Sequence, residues 1–407
     1  VSEMTLRESV HEYIEDHKEY HRTWIFDEPL IIKKSYHEDL EKLQKIMYKL
    51  IMHFVENYKD YKALMPVNKR IEKVLEISNA KPYKPGTYRT DFVFDGHLKP
   101  RLIEITCRFG MNGIFLSSLI NEISQEYKAT TWPQLPTIDS YSAIYDYLEK
   151  HLENKRSIYV IVGADVKNES KIFQPIFERI GLPVYKVHYQ DLSDSIDQLE
   201  SAFVISELSF EEILSLSDET IARLSEVEVF NDLRTIFLIH DKRFFSVIGN
   251  KSLQDDVLNK TEQEHFGEFY IPTYSYSERA DLWADALLNK DHWILKHKSL
   301  GKSQKIYAGI TIENNEWKEL FQNLELEEYV LQEWIQQPTM KGEIKGVPYD
   351  DYVTGTLLFV DDNYFGFGDF RTSSYPVINK VDHRKMTSLI LENDINPSAY
   401  NFKNIIG

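Results

Sequence analysis

The chain has 407 residues, a formal net charge of −18 and 42% hydrophobic residues, including 25 Tyr and 22 Phe. That length exceeds the ~100–200 residues of one domain, and the aromatic content excludes a disordered chain. The acidic balance excludes a protein that grips nucleic acid or anionic lipid through a broad basic surface, because neutralising phosphates takes clustered Lys and Arg.

In chain order, the opening segment to about His21 reads as a polar helix, followed by the short apolar run Leu30-Ile31-Ile32. Ser35 and Glu38 have capping-box spacing. Leu40, Leu43, Met47, Leu50, Ile51, Phe54 and Tyr58 then recur at steps of three and four, which predicts a long amphipathic helix. Pro66 ends the loop beyond it. Within 88–106, Phe92, Phe94, Leu102, Ile103 and Ile105 form two β-like runs around the turn signal Asp95-Gly96, the pattern of an antiparallel hairpin. Strands are expected at 158–162, 184–187, 203–206 and 236–240, with a helix near 170–179 stopped by Gly181. Such alternation predicts a parallel α/β sheet. The last third reads as strands at 293–297, 306–308, 329–334, 352–359 and 364–370, the last two joined by an Asp361-Asp362-Asn363 turn. The chain thus divides into helices plus a hairpin (1–132), an α/β unit (133–272) and a sheet-rich unit (273–407). The fold class is mixed α/β (α+β).

Cys107 is the single cysteine, so no intrachain disulfide can form, which fits a reducing compartment. No run of ~18 apolar residues is present to span a membrane. The Val-Ser-Glu-Met opening lacks the basic and apolar regions of a signal peptide. A cytoplasmic protein with no membrane or nucleic-acid partner is the expectation.

Four constellations could carry chemistry. Residues two apart on a strand share a face, so Arg89 with Asp91, and Glu104 with Thr106, can meet across the expected hairpin. Two neighbouring carboxylates call for a cation between them, and Mg²⁺ suits one or two carboxylates plus phosphate oxygens. An ordinary charged hairpin has the same spacing. The second is a strand carrying Lys296 and Lys298 on one face, then a loop with Ser299, Gly301, Lys302 and Ser303, whose backbone N–H groups could approach a triphosphate. A Walker A loop is excluded, since its first glycine would fall on Lys296. A solvated basic loop reads alike. The third is the apolar strand ending in Gln332, Glu333, Trp334 and Ile335, which could offer backbone groups and apolar walls to an adenine. The fourth is Arg371, after Gly366 and Gly368, placed to clamp a phosphate or carboxylate. There is no zinc spacing, no Gly-x-Ser-x-Gly elbow and no Gly-x-Gly-x-x-Gly. His240-Asp241-Lys242-Arg243 closes an expected strand, where a structural role or a ligand-facing one would both fit.

Taken in order, these motifs resemble a circularly permuted ATP-grasp protein of the glutathionylspermidine-synthetase-like kind. Arg89-Thr-Asp91 and Glu104-Ile-Thr106 come early, an α/β pre-ATP-grasp domain follows, and the lysine and hinge strands come last. The resemblance covers about residues 85–375. It implies ATP and Mg²⁺ as cofactors, with Asp91, Glu104 and Thr106 as metal ligands. Lys296 would bind the α- and β-phosphates. Lys298 lies on the same stretch, and the 299–303 loop, with Ser299, Gly301, Lys302 and Ser303, would cover the β- and γ-phosphates. Gln332, Glu333 and Ile335, with Trp334 among them, would line the adenine hinge. Arg89 would stabilise the transferring phosphoryl group, with Arg371 at the same centre. Arg108 and Asn112 could contact acyl phosphate or substrate. The family's Asn is Thr106 here, a shorter and poorer ligand.

The implied activity is that of an ADP-forming carbon–nitrogen ligase. It would join a small carboxylate to an amine, amino acid or peptide, through an acyl phosphate, in natural-product or small-peptide biosynthesis. A homodimer is one assembly open to it. The alternatives are an ATP-binding protein without ligase activity and a phosphotransferase to a hydroxyl.

Overall fold

A computed structural model describes residues 24–107, 113–164, 177, 180–301, 303–393, 396 and 400–407. The expected opening helix to about His21, and all of the expected 170–179 helix except Phe177, lie outside the described residues.

The long amphipathic helix spans Lys34–Glu56, and Leu40, Leu43, Met47, Leu50, Ile51 and Phe54 form its buried stripe. Its cap corrects the sequence reading. Lys33 stands at the N-cap without a side-chain hydrogen bond, and Ser35 lies inside the first turn. Strand pairing sets this boundary instead: Leu30–Ile32 pairs in parallel with Ser388–Leu391 and Ile405–Ile406. The Lys33 N–H completes that ladder by donating to the Ile406 carbonyl at 3.0 Å. The helix therefore begins where the ladder ends. Thr137–Ile138 completes this four-stranded sheet, which joins segments from both ends of the described chain.

The hairpin forms as its spacing predicts. Thr87–Phe94 runs antiparallel to Pro100–Thr106, with Asp91 opposite Glu104 and Arg89 opposite Thr106. Asp95 Oδ1 accepts the backbone N–H groups of His97 and Lys99 and so closes the turn. The hairpin lies at one edge of an eight-stranded sheet. The centre of that sheet is the long strand Val347–Val360, flanked by Thr87–Phe94, Thr339–Ile344, Asn363–Phe367 and Phe370–Ser373. Asp361-Asp362 makes the expected turn, with Val360 opposite Asn363. The single strand expected at 364–370 is two, Asn363–Phe367 and Phe370–Ser373: the ladder breaks at Gly368-Asp369, after Gly366 with its positive φ of 85°, and there the Gly368 N–H donates to Thr356 O while Thr356 Oγ1 donates to Asp369 O.

Ser157–Val162 pairs in parallel with Val184–His188 and Ala202–Glu207, giving the expected parallel sheet with three strands. The fourth expected strand, 236–240, is instead a π-helical turn over Thr235–Ile239. All five residues are buried, and a short run that is apolar throughout carries no period to tell strand from buried helix.

The last sheet places Trp293–His297 between Ile306–Ala308 and Tyr329–Glu333, with Thr273–Ser275 beyond, all antiparallel. Side chains alternate across it. Trp293, Leu295 and Leu331 point into a core shared with Trp283 and Trp317 of the helices Ala280–Leu288 and Asn314–Asn323. Ile294 and Ile306 pack on the opposite face against Val377. Lys296 follows Ile294 by two residues and shares that face. Among the described residues no helix is long and apolar enough to cross a membrane.

Candidate functional site

A cleft of roughly 620 Å³, counted out to its mouth and the open solvent there, lies between the antiparallel sheet of Trp293–His297 and the eight-stranded sheet. Ile294, Ile306, Val377 and Ile378 form apolar walls, and Glu104, Lys296, Gln332 and Arg371 bring polar groups into it. Its lining, apolar walls with a few convergent polar groups, suits a small molecule.

Lys296 is the buried cation of this cleft, 4% exposed. Its Nζ donates to Gln332 Oε1 at 2.7 Å and to the Ile103 carbonyl at 3.0 Å. Gln332 is fixed in turn by donating to Thr273 Oγ1 at 2.8 Å. Burial lowers the Lys296 ammonium to about 8, against the opposing pull of Glu104. Burial alone would raise Glu104, but the positive charges of Lys242, Lys296, Arg371 and His240 overcome it and hold the carboxyl down to about 2. Lys242 Nζ lies 3.4 Å from Glu104 Oε2 and donates to the Leu300 carbonyl at 2.7 Å.

Behind Glu104, Asp91 is fully buried. Arg89 Nε donates to its Oδ1 at 2.9 Å, and Arg371 Nη2 donates to its Oδ2. Arg371 Nε is buried with no hydrogen-bond partner. Asp369 pairs with Lys385. Burial would raise the Asp369 carboxyl, yet Lys385, then Arg371 and Arg89, hold it well below the usual carboxylate range. Five cationic side chains (Arg89, Lys242, Lys296, Arg371, Lys385) thus neighbour three carboxylates (Asp91, Glu104, Asp369). A local positive excess inside a chain of net charge −18 suits an anionic ligand.

The structure brings many of the sequence-predicted residues to this one place. Glu104, Lys296, Ser303, Gln332, Glu333, Trp334, Ile335 and Arg371 all line the cleft. Arg89 and Asp91 stand behind Arg371, and Thr106 pairs with Arg89 in register without lining the cleft. Lys298 turns to Glu328, its Nζ 2.6 Å from Oε1. The loop after it is tied down at several points. Lys242 N donates to Lys298 O, the Ser299 N–H faces His297 Nδ1, Gln304 N donates to Gly301 O, and Ser303 Oγ donates to Ile378 O at 2.6 Å. Arg108, Asn112 and Lys302 lie outside the described residues.

Sequence reasoning left Lys242 without a firm role and missed Asp369, Lys385 and Gln337. Lys242 follows the π-helical turn and is 6% exposed. A run of charged residues directly after an all-apolar run was its available signal. Gln337 lines the cleft four residues beyond the Tyr329–Glu333 strand, with no pattern to announce it.

Among the described residues no group of three or more His, Cys, Asp or Glu could hold a metal ion by itself. Mg²⁺ commonly takes only one or two carboxylates, with phosphate oxygens and water completing its shell. Glu104 in the cleft, with Asp91 directly across the hairpin, fits that mode, a cation carried in with phosphates. Both Asp91 oxygens already accept from arginines, so a cation at Asp91 would share them with Arg89 and Arg371.

A family profile described as the AnkG N-terminal domain matches residues 43–238. No curated protein sequence matches the chain. Among solved structures, a glutathione synthetase-like effector from Globodera pallida, in its apo form, aligns with a TM-score of 0.60 and 12% identity, covering 91% of this chain and 90% of that one. The two share a fold of mixed α/β architecture.

Proposed function

We propose that this chain binds ATP with Mg²⁺ in the cleft and uses it to activate a carboxylate for attack by an amine. The observation that carries the reading is the placement of buried Lys296, on one sheet, opposite Glu104 and Arg371 on another, across an apolar-walled cleft. The chain order, acid hairpin at 87–106 before lysine and hinge strands at 293–333, supports a circularly permuted form.

In this reading Ile294, Ile306 and Val377 enclose the base, and the run from Gln332 to Ile335 borders it. Lys296 and Lys242 oppose phosphate charge, which in a site shielded from water is worth more than on an open surface. Arg371 and Arg89 orient the acceptor carboxylate and the transferring phosphoryl group. When bound, Mg²⁺ would sit on Glu104, with Asp91 as its second carboxylate, and would neutralise charge on the phosphates. The γ-phosphoryl passes to a carboxylate oxygen, leaving ADP and an acyl phosphate. The amine then attacks the acyl carbon, loses a proton and expels phosphate, giving an amide. The proposed substrates are amino acids or small peptides, in the cytoplasm, as in natural-product or small-peptide biosynthesis.

A second reading, nucleotide binding without ligation, is favoured by one observation: Asp91 is engaged by two arginines, and Thr106 stands where the resemblance calls for Asn. Incubation of the chain with ATP, Mg²⁺ and panels of carboxylate and amine pairs separates the two. ADP, phosphate and an amide of the summed mass support ligation. AMP release rejects the acyl-phosphate route, a stable phosphorylated alcohol makes the chain a phosphotransferase, and ATP binding without turnover on any pair supports the second reading.

A further inference from the structure

Among the described cleft-lining residues three carry a buried polar atom without a hydrogen bond: Arg371 Nε, beside the carboxylates, and Trp334 Nε1 and Gln337 Oε1, just beyond the Tyr329–Glu333 strand. Gln337 is 8% exposed, and its Oε1 is buried without a hydrogen bond. Trp334 Nε1 is likewise buried and unpartnered. Both residues line the cleft, and Trp334 packs with Ile294, Ile306 and Val377, the walls assigned above to the base. A buried polar group left unpaired is costly, so such groups are found where something else completes them. The phosphate-facing cations Lys296 and Lys242 are already engaged, with Gln332, Ile103 and Leu300. Besides Arg371 Nε, which faces the carboxylate cluster, the open hydrogen-bonding capacity lies at the apolar, strand-end side of the cleft.

We infer that Gln337 anchors the nucleoside of the bound nucleotide. Its Oε1 accepts a hydrogen bond from a donor on the ligand, either the exocyclic amine of the base or a ribose hydroxyl. The inference rests on the nucleotide reading above and adds the residue that reads the ligand's neutral end. An acceptor so placed gains nothing from inorganic phosphates. It selects for a ligand that brings a donor to it, because a ligand without one leaves the buried oxygen unpaired.

The test compares ligands on the wild-type chain and on Gln337→Leu, which keeps the bulk and removes the hydrogen bond. Binding of ATP, purine riboside triphosphate (no exocyclic amine), 2′-deoxy-ATP, 3′-deoxy-ATP and inorganic triphosphate is measured by calorimetry. The expected result is that Gln337→Leu loses roughly ten-fold in ATP affinity, the scale of one hydrogen bond, while triphosphate affinity is unchanged. One analogue should bind the wild type about as weakly as ATP binds the variant, and that analogue identifies the donor. Gln337→Glu, which keeps an acceptor, should retain most of the ATP affinity. Equal ATP affinity in wild type and Gln337→Leu overturns the inference, as does a wild type that holds all three nucleoside analogues as tightly as ATP. The second comparison needs no variant and decides the matter if Gln337→Leu does not fold. A wild type that binds neither ATP nor triphosphate overturns the nucleotide reading itself.

Discussion

The Lys242 ammonium lies 3.4 Å from the Glu104 carboxylate, and the same nitrogen holds the Leu300 carbonyl at 2.7 Å. One side chain thereby links the acid hairpin to the loop beside the cleft. Among the charges that hold the Glu104 carboxyl at about 2, Lys242 is the foremost. Lys242→Met keeps the stem and removes the charge. The Glu104 pKa should then rise, and ATP affinity should fall by roughly ten- to a hundred-fold, the worth of one charge-assisted phosphate contact. Calorimetry reads the affinity and NMR titration reads the carboxyl. An unchanged affinity would remove Lys242 from the binding site.

Lys296 gives a pH dependence with a definite sign. Its ammonium titrates at about 8, lowered by burial from an ordinary 10.5. ATP affinity should therefore decline as pH rises through about 8, as the cation facing the phosphates is lost. Stability of the ligand-free chain moves the other way. Between pH 8 and 10.5 the native state binds fewer protons here than the unfolded state, so this residue's contribution to stability rises with pH across that window. Lys296→Ala should weaken ATP binding strongly at pH 7 and abolish the decline near pH 8. A pH profile identical in the variant would show that another group carries it.

Glu104→Gln separates binding from turnover. The amide preserves size in the cleft and removes the carboxylate that would face Mg²⁺. Nucleotide affinity without Mg²⁺ should be retained or improved, since Lys242 and Lys296 are freed for phosphate, while ADP production with a productive substrate pair should vanish. Normal turnover in this variant would refute the metal assignment.

Where the sequence carried a period, the structure agrees with it. The apolar steps of the Lys34–Glu56 helix, the hairpin around Asp95-Gly96 and the turn at Asp361-Asp362 are local patterns with local causes. The 236–240 run had no period, because all of Thr235–Ile239 is buried, and its π-helical form could not be read from it. Ser35 matched a cap motif, but strand pairing at Lys33 decided the helix start. The candidate site divides the same way. Asp91 opposite Glu104 follows from hairpin register. Meetings such as Lys242 with Glu104, or Lys385 with Asp369, are set by packing between distant segments, which no short window contains.

Gly86 tests how that hairpin is seated. Its φ is +76°, and a Cβ there would lie 2.0 Å from the Phe230 carbonyl oxygen and 2.6 Å from Asn231 Oδ1. Asn231 Oδ1 also accepts from the Thr87 backbone and hydroxyl, each at 2.9 Å, so the clash falls on the contact that anchors the start of the Thr87–Phe94 strand. A left-handed residue with a side chain costs about 1–2 kcal/mol, and forced packing adds about 1–3 kcal/mol. Gly86→Ala should therefore lower the stability measured by urea unfolding by on the order of 2–5 kcal/mol. At Gly96, in the turn of the same hairpin, a Cβ meets nothing within 4 Å. Gly96→Ala should stay within about 0.5 kcal/mol of wild type, as exposed substitutions do. Because Arg89 and Asp91 lie on the strand that starts directly after Gly86, Gly86→Ala should also weaken ATP binding where the protein remains folded. Equal unfolding midpoints for the two variants would contradict the close approach of Gly86 to Phe230.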